Sequence, residues 1–317
     1  MTDFFLFKFK NSALVFSRLA LSNPLPFARA KGSLLYQGQR QKDEYIKIFW
    51  VGLIDGDGSI QVNHWRKKSL QFRLVIKLSN ITSNYNMLLK IAKVIGGNVR
   101  ITGKGADAIW VVNKKETVIE IIKIFETYPL LTSRKICQLL FLKKCLLENS
   151  VDFYLVNRDN KYTNQKDIIK SFETCRPARL KAGRQALLFS NYFKSWLSGF
   201  IEAEGCFSIR KNNNHSFSIG QNDDFYLINR IKEYTKSTNI IRNTPCLHGF
   251  NATRSLARLT CLSRVSRARV NASTGYGIFY SLEIYKKETL KQFINHFYYF
   301  PLLGEKAESL KRFNQII

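Results

Sequence analysis

The sequence predicts an α+β fold with two similar halves, each built from helices and antiparallel strand pairs. The first observation is a repeated seven-residue motif. GLIDGDG at residues 52–58 recurs as GFIEAEG at residues 199–205, with the same kind of residue at every position. The second is the motif KKET at residues 114–117 and 286–289, followed at equal distance in both cases by an aromatic residue and Pro-Leu-Leu. Two motifs repeated in the same order indicate an internal duplication.

The charge of the chain points to a polyanionic partner. Among 317 residues, 50 are Lys or Arg and 23 are Asp or Glu, which gives a net charge of +27. Such an excess repels itself in a compact fold and attracts polyanions, so nucleic acid is the leading partner and a membrane surface the second. No apolar run approaches the ~20 residues that span a bilayer, so we expect no membrane segment.

The first half begins with a helix, because the apolar and glycine positions before Asp57 follow helical spacing. Gly58, and Gly205 in the second half, are interpreted as helix-ending glycines. After this helix we predict two strands, a helix, two strands and two helices, at residues 59–63, 70–79, 84–95, 98–101, 108–112, 117–126 and 133–147.

The second half repeats this order. After a helix that runs to Glu202, we predict strands at 206–211 and 216–221, a helix at 225–234, strands at 240–242 and 276–284, and helices after Glu288 and Pro301. The predicted divisions are an N-terminal extension at 1–43, a first repeat at 44–150, a linker at 151–190 and a second repeat at 191–317 that carries a basic insertion at about 243–273. The extension is either a targeting segment or an unstructured leader.

The aspartates of the first motif do not form a calcium-binding loop. If Asp55 is position one of an EF-hand loop, position six is Ile60 instead of glycine and position twelve is Arg66 instead of glutamate. A simple glycine turn remains an alternative for this stretch considered alone.

Taken together, the duplicated GLIDGDG and GFIEAEG motifs resemble those of the LAGLIDADG homing endonucleases in their single-chain, two-repeat form. The resemblance covers about residues 44–317 and includes the Pro-Leu-Leu motifs. It implies two αββαββα halves related by a pseudo-twofold axis, with antiparallel sheets that bind DNA. It also implies site-specific cleavage of double-stranded DNA by a protein encoded within an organellar intron. Some family members instead act as RNA maturases.

The spacing of small residues explains how two such helices could meet. Gly52 and Gly56 lie four residues apart on one helix face, and Gly199 and Ala203 match them. If the helices cross there, their C-terminal ends bring Asp57 and Glu204 together. Two carboxylates beside two helix C-termini repel each other, and a hard divalent cation such as Mg²⁺, or Mn²⁺ in its place, would relieve that repulsion.

The resemblance also assigns roles. It implies that the second acid of each motif, Asp57 and Glu204, is a metal ligand, and that the first acids, Asp55 and Glu202, have a structural or indirect role. It further implies a polar residue on the second strand and a lysine near the end of the fourth. These catalytic candidates are Asn80, Gln221, Lys115 and Lys287, with Lys114 and Lys286 as near alternatives to the lysines. The alternative interpretation of KKET is a solvated helix start.

DNA recognition is expected from the strands, since a β-ribbon fits the major groove and strand side chains alternate between faces. The predicted DNA-binding residues are Ser59, Gln61, Asn63, Gln71, Arg73, Lys77, Ser208, Arg210, Asn212, Ser216 and Ser218. A polar solvent-facing surface is the alternative. Because the two sets differ, an asymmetric target is expected.

The leading hypothesis is therefore a monomeric, Mg²⁺-dependent, site-specific endonuclease that acts on double-stranded DNA and promotes intron mobility. A maturase that binds its own intron RNA is the second hypothesis, and a catalytically silent DNA-binding module is the third. The abundance of residues with A/T-rich codons suggests an organellar genome, with the mitochondrion as the first choice and the chloroplast as the alternative.

Overall fold

The first half of the protein is a four-stranded antiparallel sheet with helices on one face. The computed structural model describes residues 38–173, 188, 190–210, 215–247 and 276–317. The elements of this half are α1 Gln39–Gly56, β1 Gly58–Trp65, β2 Ser69–Ser79, α2 Thr82–Ile95, β3 Asn98–Thr102, β4 Asp107–Val112, α3 Lys115–Thr127 and α4 Ser133–Glu148. The strands lie in the order β1-β2-β4-β3. Every element predicted for this half is present.

The second half repeats the same architecture. Its elements are α7 Asn191–Glu204, β5 Cys206–Ser208, β6 Ser216–Asn222, α8 Phe225–Tyr234, β7 Arg242–Leu247, β8 Tyr276–Ile284, α9 Lys287–Tyr299 and α10 Glu305–Asn314. Its strands lie in the order β5-β6-β8-β7, and all neighbouring pairs are antiparallel. The identical order of the two sheets confirms the predicted duplicated α+β fold.

Two predicted segments of the second half differ from the structure. β5 ends at Ser208, before the predicted end of that strand at residue 211. Residues 243–247, at the start of the predicted basic insertion, belong to β7 and pair with β8 as β3 pairs with β4. An insertion would therefore begin after Leu247. The rest of it, at residues 248–275, lies outside the described residues, as do residues 1–37 of the predicted N-terminal extension.

The first part of the predicted linker is packed structure. It contains α5 Val151–Asn157 and α6 Gln165–Glu173, and α6 contacts α4 of the first half and α8 of the second. Ile168 and Phe172 are four residues apart, so both lie on one face of α6, and both are buried. The ring of Phe172 stacks on Tyr226 at a centroid distance of 4.4 Å. Residues 174–187 lie outside the described part of the chain.

The cores of the two halves meet along α1 and α7. In β2, the side chains of Phe72, Leu74, Ile76 and Leu78 are buried against the helices, whereas the alternate residues face outward. Residues 48–55 of α1 and 195–202 of α7 are all buried, because each helix packs against its own sheet and against the other helix. In the described part of the chain, no helix is long and apolar enough to cross a membrane.

The two positions that follow the motif helices require glycine because there is no room for a side chain, and not because the backbone adopts a conformation that only glycine tolerates. Neither Gly58 nor Gly205 has a positive φ, so the left-handed helix end implied by their interpretation as helix-ending glycines is not present. A Cβ atom on Gly58 would lie 2.6 Å from the carbonyl oxygen of Ile54, and one on Gly205 would lie 2.7 Å from that of Ile201. The chain turns from helix to strand so tightly that a side chain would collide with the last helical turn.

Candidate active site

The two motif helices cross at their glycines. A Cβ atom on Gly52 would overlap the carbonyl oxygen of Trp196, and one on Gly199 would overlap that of Phe49. At the next turn, a Cβ atom on Gly56 would collide with that of Ala203. The backbones therefore approach as closely as helices can, which places the C-terminal ends of α1 and α7 side by side.

These ends carry the second acid of each motif. Asp57 directly follows the last residue of α1, and Glu204 is the last residue of α7. The side chain of Glu204 packs against the end of α1, because a Cβ atom on Gly56 would lie 3.2 Å from its Cγ atom. Glu204 is buried and Asp57 is partly exposed. The structure thus brings one carboxylate from each half to a common centre.

A lysine that the sequence analysis missed lies at this centre. Lys135, in the first turn of α4, donates a hydrogen bond from Nζ to the carbonyl oxygen of Gly58. Burial lowers the pKa of the Lys135 ammonium, and this shift is opposed by nearby acids, first Asp55, then Glu204 and, more weakly, Asp57. A single cation therefore lies within electrostatic reach of the second acids of both motifs.

This lysine is not part of the repeat. Lys135 follows Pro129 of the first Pro-Leu-Leu motif by six residues, and the residue six positions after Pro301 is Ala307. A functional group that is present in only one half is not among the features that the two halves share, so the repeat gives no indication of it. Its position after a repeated motif was the only available indication.

The lysines predicted from KKET lie at the starts of two helices. Lys115 and Lys287 are the exposed first residues of α3 and α9, as the helix-start alternative describes, and Lys114 and Lys286 directly precede them. The Lys115 ammonium donates to Asn149 Oδ1 at 3.1 Å and lies 5.9 Å from the ring centroid of Phe72. Phe72 pairs with a residue four positions beyond Gly58, which is roughly 13 Å along the strand. The structure therefore does not bring Lys115 to Asp57.

The two polar strand residues, Asn80 and Gln221, do not occupy equivalent positions. Asn80 Nδ2 donates to the carbonyl oxygen of Gly105 at 2.8 Å, in the turn between β3 and β4. Gln221 lies on the helix-facing side of β6, where its Oε1 atom is buried without a hydrogen-bond partner among the described residues. Strand register makes Asp223 the equivalent of Asn80. In the second strand of each half, one residue lies level with the final glycine of the motif, and Asn80 or Asp223 follows that residue by four positions.

The first acids of the motifs hold the two Pro-Leu-Leu turns. Asp55 accepts hydrogen bonds from the backbone of Leu131 and Thr132, the hydroxyl of Thr132 and the indole of Trp196. Glu202 accepts from the backbone N–H groups of Leu303, Gly304 and Lys306. Burial raises the pKa of Asp55 to about 6 and also raises the pKa of Glu202. These acids are saturated with protein donors, which agrees with a structural role.

The outward face of the first sheet carries the predicted polar residues of β1 and β2. Gln61 lies opposite Arg73 and Asn63 lies opposite Gln71, while Ser59 faces Val75. Lys77 lies on the same face and forms a 2.7 Å ion pair with Asp107 of β4. At the end of this face is an open cleft of about 750 Å³ with five cationic lining residues, Lys67, Lys68, Arg73, Arg100 and Lys115. Arg100, on β3, was not identified from the sequence.

The outward face of the second sheet contains an acid. Ser208 lies opposite Ser216, and Ser218 pairs with Glu283 of β8. The Glu283 carboxylate accepts from Arg210 at 2.8 Å and from the Ser216 hydroxyl at 2.9 Å. Arg242 also approaches it, at 3.7 Å. Asn212, the remaining predicted DNA-binding residue, lies outside the described residues.

The centre has the donor set of a hard divalent cation with few protein ligands. In the described part of the chain, no group of three or more Asp, Glu, His or Cys residues could hold a metal ion. Asp57 and Glu204 supply two carboxylates, and Mg²⁺ commonly uses one or two carboxylates together with waters and substrate phosphate oxygens. These two residues therefore fit such an ion, provided that substrate and water complete the coordination.

The comparisons with known proteins agree with the duplicated fold. Residues 50–145 and 197–255 match the sequence profile described as LAGLIDADG endonuclease. A Debaryomyces hansenii protein named probable intron-encoded endonuclease aI3 is 47% identical over 86% of this chain, and the chain spans only 38% of that protein. The protein of the same name from Dictyostelium citrinum is 41% identical, and the match covers 85% of this chain and 94% of the relative.

A solved structure has the same fold. The endonuclease I-SmaMI, bound to an uncleaved DNA target in the presence of calcium ions, superposes with a TM-score of 0.52 and 17% identity, over 85% of this chain and 89% of its own. The crossed motif helices, the two matching sheets and the identity to the Dictyostelium citrinum relative along nearly its whole length have one explanation: the chain belongs to the LAGLIDADG endonuclease family.

Proposed function

We propose that the protein is a site-specific endonuclease that cleaves both strands of a DNA target through metal-dependent phosphodiester hydrolysis. The observation that carries this proposal is the convergence of Asp57 and Glu204, one from each half, on Lys135 at the crossing of α1 and α7. One acid from each half is suited to a duplex, whose two scissile phosphates are related by an approximate twofold axis.

The residues at the centre have separate proposed roles. Asp57 and Glu204 would hold Mg²⁺, and a bound divalent ion supplies an activated water and stabilises charge on phosphate oxygens. Lys135 would stabilise the negative charge that develops on the phosphate during hydrolysis. Its ammonium is held by the Gly58 carbonyl before substrate arrives, so little reorganisation would be required at the moment of reaction.

The outward faces of both sheets would bind the duplex. The first face presents Gln61, Asn63 and Arg73 in register, and amide and guanidinium groups of this kind read base edges in the major groove. The cationic cleft at its end would hold flanking backbone phosphates. The second face differs from the first in its residues, so the target is expected to be asymmetric.

The test is incubation of the purified protein with Mg²⁺ and with DNA that spans the intronless form of the host gene. A double-strand break at one site supports the proposal, and binding without any break contradicts it. Asp57→Asn and Glu204→Gln should each abolish cleavage of the intact site while the affinity for the target changes by less than about threefold. Omission of divalent metal should have the same effect as either substitution.

A second candidate function is RNA binding during splicing of the host intron. It is favoured by the adjacent rings of Tyr298 and Tyr299 on α9, which are 70% and 54% exposed on the helical side of the second half. Unpaired RNA bases stack on aromatic side chains of this kind. If splicing is rescued by the Asp57→Asn protein but not by a variant with Ala at both tyrosines, the maturase role is supported. Equal rescue by both variants would contradict a role of the two tyrosines in RNA binding.

The expected setting is an organelle. The relatives are named intron-encoded endonucleases, and the codon bias inferred from the composition fits an A/T-rich genome. We propose mitochondrial expression, with the chloroplast as the alternative, and action of the protein as a monomer that carries both halves of the centre.

A further inference from the structure

The helix that carries Lys135 receives its N-terminal cap from the other half of the protein. Asp224, the residue that directly precedes α8, accepts a hydrogen bond of 3.0 Å from the backbone N–H of Ser133, the first residue of α4. Asp at this position usually caps its own helix, but the Asp224 side chain makes no such bond to α8. Thr132, the residue that precedes α4, makes no side-chain cap for α4, and its hydroxyl donates to Asp55.

The second half also holds the rest of the segment that leads into α4. The hydroxyl of Tyr192 donates to the carbonyl oxygen of Pro129, and the hydroxyl of Tyr226 donates to that of Leu131, both at 2.6 Å. From α6, the Gln165 amide donates to the Ser133 hydroxyl at 3.0 Å and to Asp223 at 3.2 Å. The start of α4 is therefore positioned by both halves: Asp55 holds Leu131 and Thr132 from the first half, and these groups hold it from outside that half.

The same exchange occurs in the opposite direction, with one difference. Asn84 Oδ1 of the first half accepts a hydrogen bond of 3.0 Å from the backbone N–H of Glu305, the first residue of α10. Tyr45 donates to the carbonyl oxygen of Pro301 at 2.6 Å, as Tyr192 does to that of Pro129. The capping residue is an amide for α10, which has Ala307 at the relevant position, and a carboxylate for α4, which has Lys135 there.

The Asp224 carboxylate lies in a position that lowers the stability of the fold. It is completely buried, and its Oδ1 atom has no hydrogen-bond partner among the described residues. Burial raises the pKa of Asp224 to about 7, with Asp223 and Asp55 as the nearby acids that add to the shift. A buried acid with one unpaired oxygen reduces stability, and the corresponding contact of Asn84 with α10 shows that an uncharged side chain can accept this kind of hydrogen bond.

We propose that Asp224 is a positioning residue for the catalytic centre: by capping α4 from the second half, it holds the Lys135 ammonium at the Gly58 carbonyl, within electrostatic reach of Asp57 and Glu204. Lys135 lies two residues into the helix that Asp224 caps, so a small shift of the first turn moves its side chain away from the Gly58 carbonyl. Correct placement of Lys135 therefore depends on docking of the two halves. The effect of Asp224 on cleavage rests on the proposed function. Its effect on the position of Lys135 does not.

The first test does not depend on cleavage. Wild type, Asp224→Ala and Asn84→Ala are treated with limiting acetic anhydride, and the acetylation rate of Lys135 is measured by mass spectrometry. We expect Asp224→Ala to increase this rate about tenfold or more. Asn84→Ala, the matched control that removes the cap of α10, should change the rate less than about twofold. Asp224→Asn, which keeps an acceptor for Ser133, should restore protection. Equal rates in the two Ala variants, or no change in Asp224→Ala, would overturn the proposal.

If Asp224→Ala does not fold, a second variant tests the same contact. Ser133→Pro removes the N–H that Asp224 accepts from, and proline is tolerated at the first residue of a helix. The preceding Thr132 has an extended ψ of 134°, which suits a following proline. Ser133→Pro should expose Lys135 to acetylation, whereas Glu305→Pro on α10 should not. Protection of Lys135 in Ser133→Pro would contradict the role of the cap.

The catalytic arm compares single-turnover cleavage of bound target. Asp224→Ala should lower the rate constant by about 10- to 100-fold with little change in Kd, since misplacement of a catalytic group affects the chemical step, and Asn84→Ala should leave it within about twofold. If the wild-type protein binds DNA but cuts none, the proposed function fails, and the acetylation rates alone decide the positioning role. If wild type cuts and Asp224→Ala cuts equally fast, the catalytic consequence is wrong.

Discussion

The carboxylate of Asp55 accepts a hydrogen bond of 2.7 Å from the indole nitrogen of Trp196, which lies on the motif helix of the opposite half. The same carboxylate accepts three hydrogen bonds from Leu131 and Thr132. One buried side chain thus joins the helix crossing to the turn that precedes Lys135.

Asp55→Asn should destabilise the fold without removing a metal ligand. The amide nitrogen cannot accept a hydrogen bond, so at least one of the donors is left unpaired in the core. We expect a loss of about 2–4 kcal/mol in the free energy of unfolding, measured by urea denaturation at pH 8. Trp196→Phe, which removes a single donor, should cost less, about 1–3 kcal/mol. A larger loss in Trp196→Phe would show that ring packing dominates the hydrogen bond.

Asp224→Asn should change the pH dependence of stability. The pKa of Asp224 is raised to about 7 in the folded protein from an ordinary value of 3.8. The folded state therefore binds the proton more tightly than the unfolded state, and this stability is present below about pH 4 and is lost as the pH rises to about 7. Relative to wild type, Asp224→Asn should gain stability over that range, by at most about 4 kcal/mol. A constant difference between the two proteins from pH 4 to pH 8 would contradict the shift.

Gly52→Ala should separate the motif helices. The new Cβ atom would overlap the carbonyl oxygen of Trp196, which is backbone and cannot rotate away. We expect a loss of more than about 3 kcal/mol in unfolding free energy, as for other overpacked core sites. Gly105→Ala is the control, because it has a positive φ of 92° but no atom within 4 Å of the added methyl, and it should cost only about 1 kcal/mol. Similar losses in both variants would indicate that helix approach is not limiting.

Lys135→Met and Lys115→Met should separate the lysine found in the structure from the one predicted from the sequence. Loss of the Lys135 charge beside both acids should lower the single-turnover cleavage rate by about 10²-fold or more. Lys115 lines the cationic cleft, so its substitution should weaken binding and leave the rate at saturating protein nearly unchanged. The reverse pattern would restore Lys115 as the catalytic candidate.

Arg100→Ala should weaken binding through the loss of a phosphate contact. Arg100 is exposed on the outward face and lines the cationic cleft. If it neutralises one phosphate, the slope of log affinity against log salt should decrease in magnitude by about 0.9. Lys123→Ala on α3, which packs on the opposite face of the sheet, should leave the slope unchanged. An unchanged slope in Arg100→Ala would remove β3 from the interface.

Much of this molecule is determined locally. The duplicated motif, the four-residue spacing of Gly52 and Gly56, and the alternation that separates Gln61 from Ile60 are periodic features, so the fold, the helix crossing and the outward polar faces were predicted from the sequence. The assignment of Asp57 and Glu204 as the paired acids also depended on the motif alone, since both residues end helices whose crossing the glycines prescribe.

Tertiary structure decided which other groups reach that centre. Lys135 is 77 residues from Gly58, and Asp224 is 91 from Ser133, so neither contact has a periodic signature. Neither contact is repeated with the same side chains in the other half: Ala307 lies where Lys135 does, and the start of α10 is capped by the amide of Asn84 instead of an acid. A comparison of repeats finds what the halves share, whereas the chemistry added to one half becomes visible only when packing brings distant segments together. Gln221 shows the same limit, since one register position separates a residue in the core from one that faces solvent.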